Sequence, residues 1–305
     1  MAVVFDRPLA ESPEGWSASL DLVAKLRRGR TVLDSNRHCG PLRVQRPFYP
    51  EGGVCHVYIL HPPGGLVAGD NLDIRVQCDS DAELLLTTPS AGRVYGSNQL
   101  RLEQSQQLNI RVEAGARCEW LPQESIVFDR AEAVNRLSVS LAEGAVFTGW
   151  EITCLGRPAS REFFDSGSLD QRWAIYLEDR PILLETSRFV GGSAQLQAPW
   201  GLAGATVVGT LVTTCRETSP EQVREAIEVI LSELALSAQQ AGREQMGSKP
   251  FEVPLVAVSV LPELMVIRAF GQRAVDVKAV FTGLWRILRL AQTGQDAVAP
   301  RIWFT

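Results

Sequence analysis

The chain has 305 residues, and its 30 Lys and Arg against 35 Asp and Glu give a formal net charge of −5. Hydrophobic residues make up 45% of the sequence and charged residues 21%, which argues against a disordered or fibrous protein. The acidic balance argues against a dedicated nucleic-acid-binding protein, because such proteins need a surplus of Lys and Arg to neutralise phosphates.

The N-terminal segment and the cysteines indicate the compartment. Charges at Asp6 and Arg7 precede any apolar stretch, so a signal peptide is not expected. No stretch reaches the roughly 18 apolar residues of a membrane-spanning helix. The six cysteines are dispersed and never form a C-x-x-C pair, which predicts reduced, mostly buried thiols. We therefore expect a cytoplasmic protein that does not bind membranes.

Residues 17–215 show the pattern of a β-rich body. Apolar and polar residues alternate in four segments, 54–60, 72–78, 107–112 and 136–141, as they do in strands with one buried face. Short turns containing Gly separate these segments, and two of the turns have similar sequences. Strands at this spacing predict a sandwich, barrel or solenoid rather than βαβ units.

The C-terminal segment, residues 216–305, predicts helix, hairpin and helix. Ser219 and Gln222 form a capping box around Pro220, and a helical apolar face follows. Segments 255–260 and 264–269 read as a hairpin, and residues 275–291 as a second helix. The residues of this second helix expected to face inward are Val277, Val280, Phe281, Leu284, Ile287 and Leu288. We expect residues 1–305 to form a single domain, with this segment packed on the β body.

Histidines and cysteines lie close together in one part of the sequence. His38 and Cys39, Cys55 and His56, and His61 supply ligand types that suit nickel, copper or zinc. If the two segments pair as strands, His38 meets His56, or Cys39 meets Cys55. The alternative is packed cysteines and hydrogen-bonded histidines, which the pattern favours over a closed metal site.

Acidic residues beside turns and strand ends are the other candidates for function. Glu119 and Glu151 each adjoin a tryptophan, so at least one of them is expected to be buried. A buried carboxylate needs a cation, a hydrogen-bond network or a metal, and an Arg partner is the simplest of these accounts. The sequence has no nucleophile elbow, zinc-protease motif, Walker loop or dinucleotide fingerprint, and we therefore expect no enzyme activity.

Five longer strings are more specific than these patterns. They are GPLRVQRPFYPEG (40–52), HPPGGLVAGD (61–70), TTPSAGRVYGS (87–97), EWLPQESIVF (119–128) and GRPASRE (156–162). Together and in this order they resemble the UreD family of urease accessory proteins, called UreH in some organisms. The chain departs from the usual family strings at Ala68, where a Gly is common, and at Gly96, where an Arg is common.

The resemblance implies a fold and a function. Together with the sequence patterns, it predicts a mainly β fold. Strands would stack in a β-helix-like or two-sheet arrangement, with two C-terminal α-helices packed on one side. It implies a chaperone that binds the urease apoprotein and, with UreF and the GTPase UreG, supports insertion of nickel into urease. It implies no permanently bound cofactor, but an internal polar passage for transient nickel.

A passage that accepts and releases nickel requires sparse, oxygen-rich ligands rather than a thiolate cage. The residues that we predict as transient nickel ligands are Asp70, Glu51, Glu119, Glu124, Glu162 and His61. Two alternatives stay open at this point. One is a docking scaffold with no metal role, and the other is a β-fold hydrolase using Glu124 or Asp70 with His61.

Overall fold

A computed structural model describes residues 15–214, 217–242 and 252–304. The N-terminal residues 1–14, where the sequence predicts no signal peptide, and Cys215 lie outside the described residues. The strands are β1 (Ser17–Arg27), β2 (Arg30–Cys39), β3 (Arg43–Val44), β4 (Cys55–Leu60), β5 (Asn71–Cys78), β6 (Glu83–Thr87), β7 (Gly92–Val94), β8 (Gln104–Val112), β9 (Arg117–Trp120), β10 (Ser125–Val127), β11 (Glu132–Leu141), β12 (Val146–Leu155), β13 (Ser168–Leu177), β14 (Arg180–Val190), β15 (Val207–Thr213), β16 (Leu255–Val260) and β17 (Met265–Gly271). The α-helices are α1 (Ala194–Gln197), α2 (Pro220–Gly242) and α3 (Ala274–Thr293).

The strands form two mixed sheets. One has seven strands in the order β14-β13-β11-β8-β5-β1-β2. The other has ten, with the order β16-β17-β15-β12-β9-β6-β4-β3 and with β10 and β7 attached beside β12. Strands β5, β8, β11 and β13 run parallel in the first sheet, and β4, β6, β9 and β12 in the second. The predicted mainly β, two-sheet arrangement is confirmed.

The chain alternates between the sheets through stacked corners. The turns that join β5 to β6, β8 to β9 and β11 to β12 are each closed by a backbone hydrogen bond of 3.0–3.1 Å from the fourth residue to the first. The third residue of each turn has a positive φ, at Asp81, Gly115 and Gly144. The similar turn sequences noted above therefore mark a repeated corner of the fold.

The described residues form three apolar cores, of which the smallest includes Phe164 and Phe189 and the two larger ones position the site. One lies between the sheets and includes Leu20, Val57 and Ile110. A second core lies between the ten-stranded sheet and helices α2 and α3, and includes Trp150 and Phe281. None of the described helices is long and apolar enough to cross a membrane.

The predicted C-terminal elements are confirmed, with one error in the second helix. The capping box forms, since the Gln222 N–H donates to Ser219 Oγ (3.2 Å) and the Ser219 N–H donates to Gln222 Oε1 (2.8 Å). Five of the six residues expected to face inward on α3 are buried. Ile287 is 38% exposed, because it lies beside the apolar stripe rather than within it.

The histidines and cysteines of the two segments do not converge, in agreement with the alternative that the sequence pattern favours. Strand β2 belongs to the seven-stranded sheet and β4 to the ten-stranded sheet, so the two segments do not pair. His38 Nδ1 instead lies 2.9 Å from a guanidinium nitrogen of Arg43, and Cys39 is exposed. Cys55, like the other described cysteines, is free.

A glycine fixes the approach of α3 to the ten-stranded sheet. A Cβ at Gly209 on β15 would lie 2.7 Å from Val277 Cγ1 and 2.8 Å from Phe281 Cε2. We expect Gly209→Ala to lower the free energy of unfolding by about 1–3 kcal/mol, because α3 must shift outward. Urea denaturation measures this loss, and Gly53→Ala is the matched control. There the new Cβ meets only Gly29 O at 3.4 Å, so an equal loss in the control would contradict the prediction.

Candidate functional site

One internal space of the protein lies between the two sheets. It is a cavity of about 290 Å³ whose wall mixes apolar side chains with polar ones, among them His61, Gln106, Gln123, Asn135 and Glu151. A second cavity of about 180 Å³ lies beside it. The two cavities share three lining residues, and they therefore form neighbouring compartments.

Glu151 projects from β12 into the space between the sheets. Its Oε2 accepts hydrogen bonds from Asn135 Nδ2 (2.9 Å) and Gln171 Nε2 (2.8 Å), which belong to the seven-stranded sheet. The indole N–H groups of Trp120 and Trp173 also approach the carboxylate, but outside hydrogen-bond geometry. Burial raises the pKa of Glu151 to about 7, although these N–H donors oppose the shift. Glu151 forms no ion pair within the described residues.

His61 lines both cavities and is half-buried. Burial lowers its pKa, while the nearby Asp70 carboxylate opposes this shift. A neutral imidazole at this point offers a nitrogen ligand to both compartments.

Asp70 lines the smaller cavity, but its oxygens have backbone partners. Oδ1 accepts from the Trp16 N–H (3.0 Å) and Oδ2 from the Val67 N–H (2.9 Å), so the carboxylate closes the turn before β5. No hydrogen bond joins Asp70 to His61 in the described part of the chain. Of the two pairs that the hydrolase hypothesis allows, Asp70 with His61 is therefore not joined by a hydrogen bond.

Glu51 and Glu119 meet at a different place, beneath α3. The buried guanidinium of Arg289, 1% exposed, lies 2.5 Å from Glu119 Oε2 and also contacts Glu51 Oε2. Trp285 Nε1 donates to Glu119 Oε1 (2.8 Å), and His56 Nε2 lies 2.5 Å from Glu51 Oε1. The cation bound by these two carboxylates is the protein's own arginine, as the simplest account of buried acids predicts. We call these five residues the α3 cluster.

The two remaining candidate acids lie apart from both groups. Glu124 is half-buried, and its sequence neighbours Gln123 and Ser125 line the larger cavity. Its negative charge favours a higher pKa for both Lys278 and Cys154. Glu162 lies on the surface, where Arg157 binds it through hydrogen bonds of 2.6–2.8 Å. The structure therefore does not bring the six predicted ligands together.

The described side chains offer few groups of possible metal ligands. Within residues 15–214, 217–242 and 252–304, no three His, Cys, Asp or Glu side chains could hold an ion together.

Sequence reasoning placed Glu151 among the acids but not among the ligands, and it did not single out Arg289. The signal for Glu151 is a lone carboxylate inside the apolar run FTGWEITCL. The corresponding signal for Arg289 is a charged residue on the buried face of a helix where, apart from Asp276, the other buried residues are apolar.

The fold and site define a two-sheet β protein with flanking helices, apolar cores and a cavity with polar lining residues, whose described side chains form no metal cage. The family model described as UreD urease accessory protein matches residues 17–304. A urease accessory protein UreD of Saccharophagus degradans is 39% identical over 95% of this chain and 93% of its own length. Those of Azoarcus sp. and Pseudomonas putida are each 40% identical, over 98% and 97% of both chains respectively.

The chain belongs to the UreD family of urease accessory proteins. The resemblance found in the five sequence strings is thus confirmed over nearly the whole chain. Membership of this family implies a role in urease maturation, and the named relatives are accessory proteins rather than the enzyme.

Proposed function

We propose that this protein binds the urease apoprotein and, with UreF and UreG, supports nickel insertion by passing nickel through its interior. The observation that carries this proposal is Glu151, a buried carboxylate with neutral donors only, beside a cavity of about 290 Å³ that polar and apolar side chains line together. A buried carboxylate without a countercharge is unfavourable, and a passing cation supplies that charge. We expect these steps to take place in the cytoplasm.

The proposed path runs through the two neighbouring cavities. Glu151 serves the larger one, His61 lies between them, and Asp70 and Glu124 contribute negative charge nearby. Because His61 and Glu151 do not form a closed site, nickel would keep part of its hydration shell and leave readily.

Three of the six predicted nickel ligands have other roles in this proposal. Arg289 forms ion pairs with Glu51 and Glu119. We therefore assign both acids to the contact with α3 and not to nickel binding. Glu162 is bound to Arg157 at the surface, away from the cavities. We therefore do not place these three acids on the path.

Replacing Glu151 with Gln tests the proposal. The amide keeps an oxygen for Asn135 and Gln171 but cannot supply the negative charge. We expect Glu151→Gln to lower urease activation at least tenfold under limiting nickel and to weaken nickel binding by the isolated protein. Activation is measured in a reconstituted mixture with UreF, UreG and apo-urease, and nickel binding by calorimetry.

Glu143→Gln is the matched control, because Glu143 is exposed at a corner between the sheets. Both variants should bind urease and UreF as the unchanged protein does. Full activation by Glu151→Gln at limiting nickel would contradict the proposed nickel passage. It would favour the alternative of a docking scaffold with no metal role. Failure of the unchanged protein to bind urease and UreF would contradict the accessory role itself.

A further inference from the structure

The exposure of its lining residues marks the open end of the larger cavity. Pro62, Ser90, Gly92 and Arg93 are exposed, whereas Glu151 is buried. The cavity therefore leads from the surface at these four residues towards the carboxylate between the sheets. An ion that enters from solvent here passes the exposed residues before it reaches Glu151.

Two lining residues of this cavity form ions of opposite charge. They are Glu151 in the interior and Arg93 at the open end. The remaining titratable residue among those that line the cavity is His61, whose pKa is lowered by burial. A negative group inside attracts a divalent cation, but a positive group at the entrance repels it. The proposed nickel passage so far gives this arginine no role.

A glycine pair holds the side chain of Arg93 at the entrance. The backbone of β7 pairs with β10 on one side, and on the other the Leu66 N–H donates to Arg93 O (2.8 Å). A Cβ at Gly65 would lie 3.0 Å from Arg93 Cβ, and one at Gly64 would lie 3.8 Å from Arg93 Nη1. The side chain therefore extends along the two glycines, which line the same cavity, and its guanidinium lies beside Gly64.

The guanidinium of Arg93 forms no ion pair with another described residue. Other exposed arginines do, for example Arg101 with Glu132 and Arg157 with Glu162. A guanidinium presents a fork of donors that matches the two oxygens of a carboxylate. Because the entrance faces solvent, a carboxylate of another protein can reach this fork.

We propose that Arg93 closes the cavity electrostatically to free divalent cations, and that a carboxylate of the protein supplying nickel opens it by pairing with the guanidinium. This inference rests on the proposed nickel passage and adds its regulation. Without the partner, the positive charge at the entrance raises the energy of an approaching cation. With the partner, the carboxylate cancels that charge and the cation meets the attraction of Glu151 alone. Free metal ions are thus refused, while nickel from the partner is admitted.

The rate of nickel entry into the isolated full-length protein tests the barrier. Trp120 lines the cavity, so entry is followed by stopped-flow quenching of tryptophan fluorescence. We expect Arg93→Gln to raise the association rate constant about three- to tenfold at about 0.01 M salt. The ratio should fall towards one at about 1 M salt, where the screening length is about 3 Å.

Two control variants separate charge from shape. Arg93→Lys keeps the positive charge and should behave like the unchanged protein. Arg188→Gln removes an exposed arginine from β14, which does not line the cavity, and causes the same change in net charge. It should leave the rate within about twofold of the original value.

Urease activation with UreF and UreG tests the role of the partner's carboxylate. A chelator keeps free nickel low, so that nickel reaches urease from the partner proteins only. Under these conditions Arg93→Gln should lower activation about threefold or more, because the carboxylate loses its pair. Faster entry of free nickel combined with slower activation is a pattern that a merely disturbed fold would not produce.

Several results would overturn the proposal. Equal entry rates for Arg93→Gln and the unchanged protein at low salt would do so, and so would a faster entry that persists at high salt. Unchanged activation by Arg93→Gln under the chelator would exclude the partner's carboxylate. Failure of the passage itself looks different, because Glu151→Gln would then take up nickel and activate urease as the unchanged protein does. Absence of nickel entry in both the unchanged protein and Arg93→Gln would overturn passage and barrier together.

Discussion

Replacing Arg289 with Met is expected to lower the free energy of unfolding by about 3–5 kcal/mol. The variant leaves Glu51 and Glu119 buried beneath α3 with no permanent cation. Methionine fills much of the same space, so the loss comes from unpaired charge rather than from a cavity. Because this contact joins the helix to two parts of the β body, we also expect faster exchange of α3 amides.

Urea denaturation of Arg289→Met and of the matched variant Arg286→Met measures the effect. Arg286 lies on the same helix but is exposed, so its replacement should change stability by less than about 0.5 kcal/mol. Adding Glu51→Gln and Glu119→Gln to Arg289→Met should recover most of the loss, since the charges disappear while acceptors for His56 and Trp285 remain. A loss below 1 kcal/mol, or no recovery in the triple variant, would contradict this account.

The same experiment bears on domain organisation. If residues 1–305 fold as a single domain, as the sequence leads us to expect, unfolding should follow one transition by fluorescence and by circular dichroism. Separate transitions for the helices and the β body would show that α3 is an independent unit. The α3 cluster and the apolar core beside it are the contacts that couple the two.

The fold was largely predictable because its signals are local. Alternation over 72–78 and 136–141, the capping box at Ser219 and the stripe of the last helix each need fewer than twenty residues of sequence. The pairing of strands between sheets is not local, so the sequence pattern could not decide whether His38 meets His56. Alternation shows that a segment has two faces, but not which sheet it joins.

The site was less predictable for the same reason. Glu119 and Glu151 look alike in sequence, since each lies beside a tryptophan in an apolar run. Their environments differ because Glu119 points outward to Arg289 on α3, while Glu151 points inward to amides of the facing sheet. Glu51 and Arg289 are 238 positions apart in the chain, a contact that no spacing rule reveals. Three-dimensional packing therefore decides which acid is neutralised and which stays available.

Replacing Glu151 with Gln is expected to stabilise the protein at neutral and alkaline pH. The folded-state pKa of about 7 exceeds the ordinary value of 4.5, so the folded protein holds this proton more tightly than the unfolded chain does. Stability therefore falls as pH rises from about 4.5 to about 7, by up to about 3 kcal/mol. A neutral amide avoids this loss, and its N–H can reach the unpartnered Asn135 Oδ1.

Unfolding free energies of Glu151→Gln and the unchanged protein at pH 4 and pH 8 measure this effect. The two proteins should agree at pH 4, where the carboxyl is protonated in both states, and should differ by about 2–3 kcal/mol at pH 8. Glu143→Gln should show no such pH-dependent difference, and an equal gain there would contradict the assignment to burial. A variant that is more stable yet activates urease less would show that the buried charge at Glu151 lowers stability while serving function.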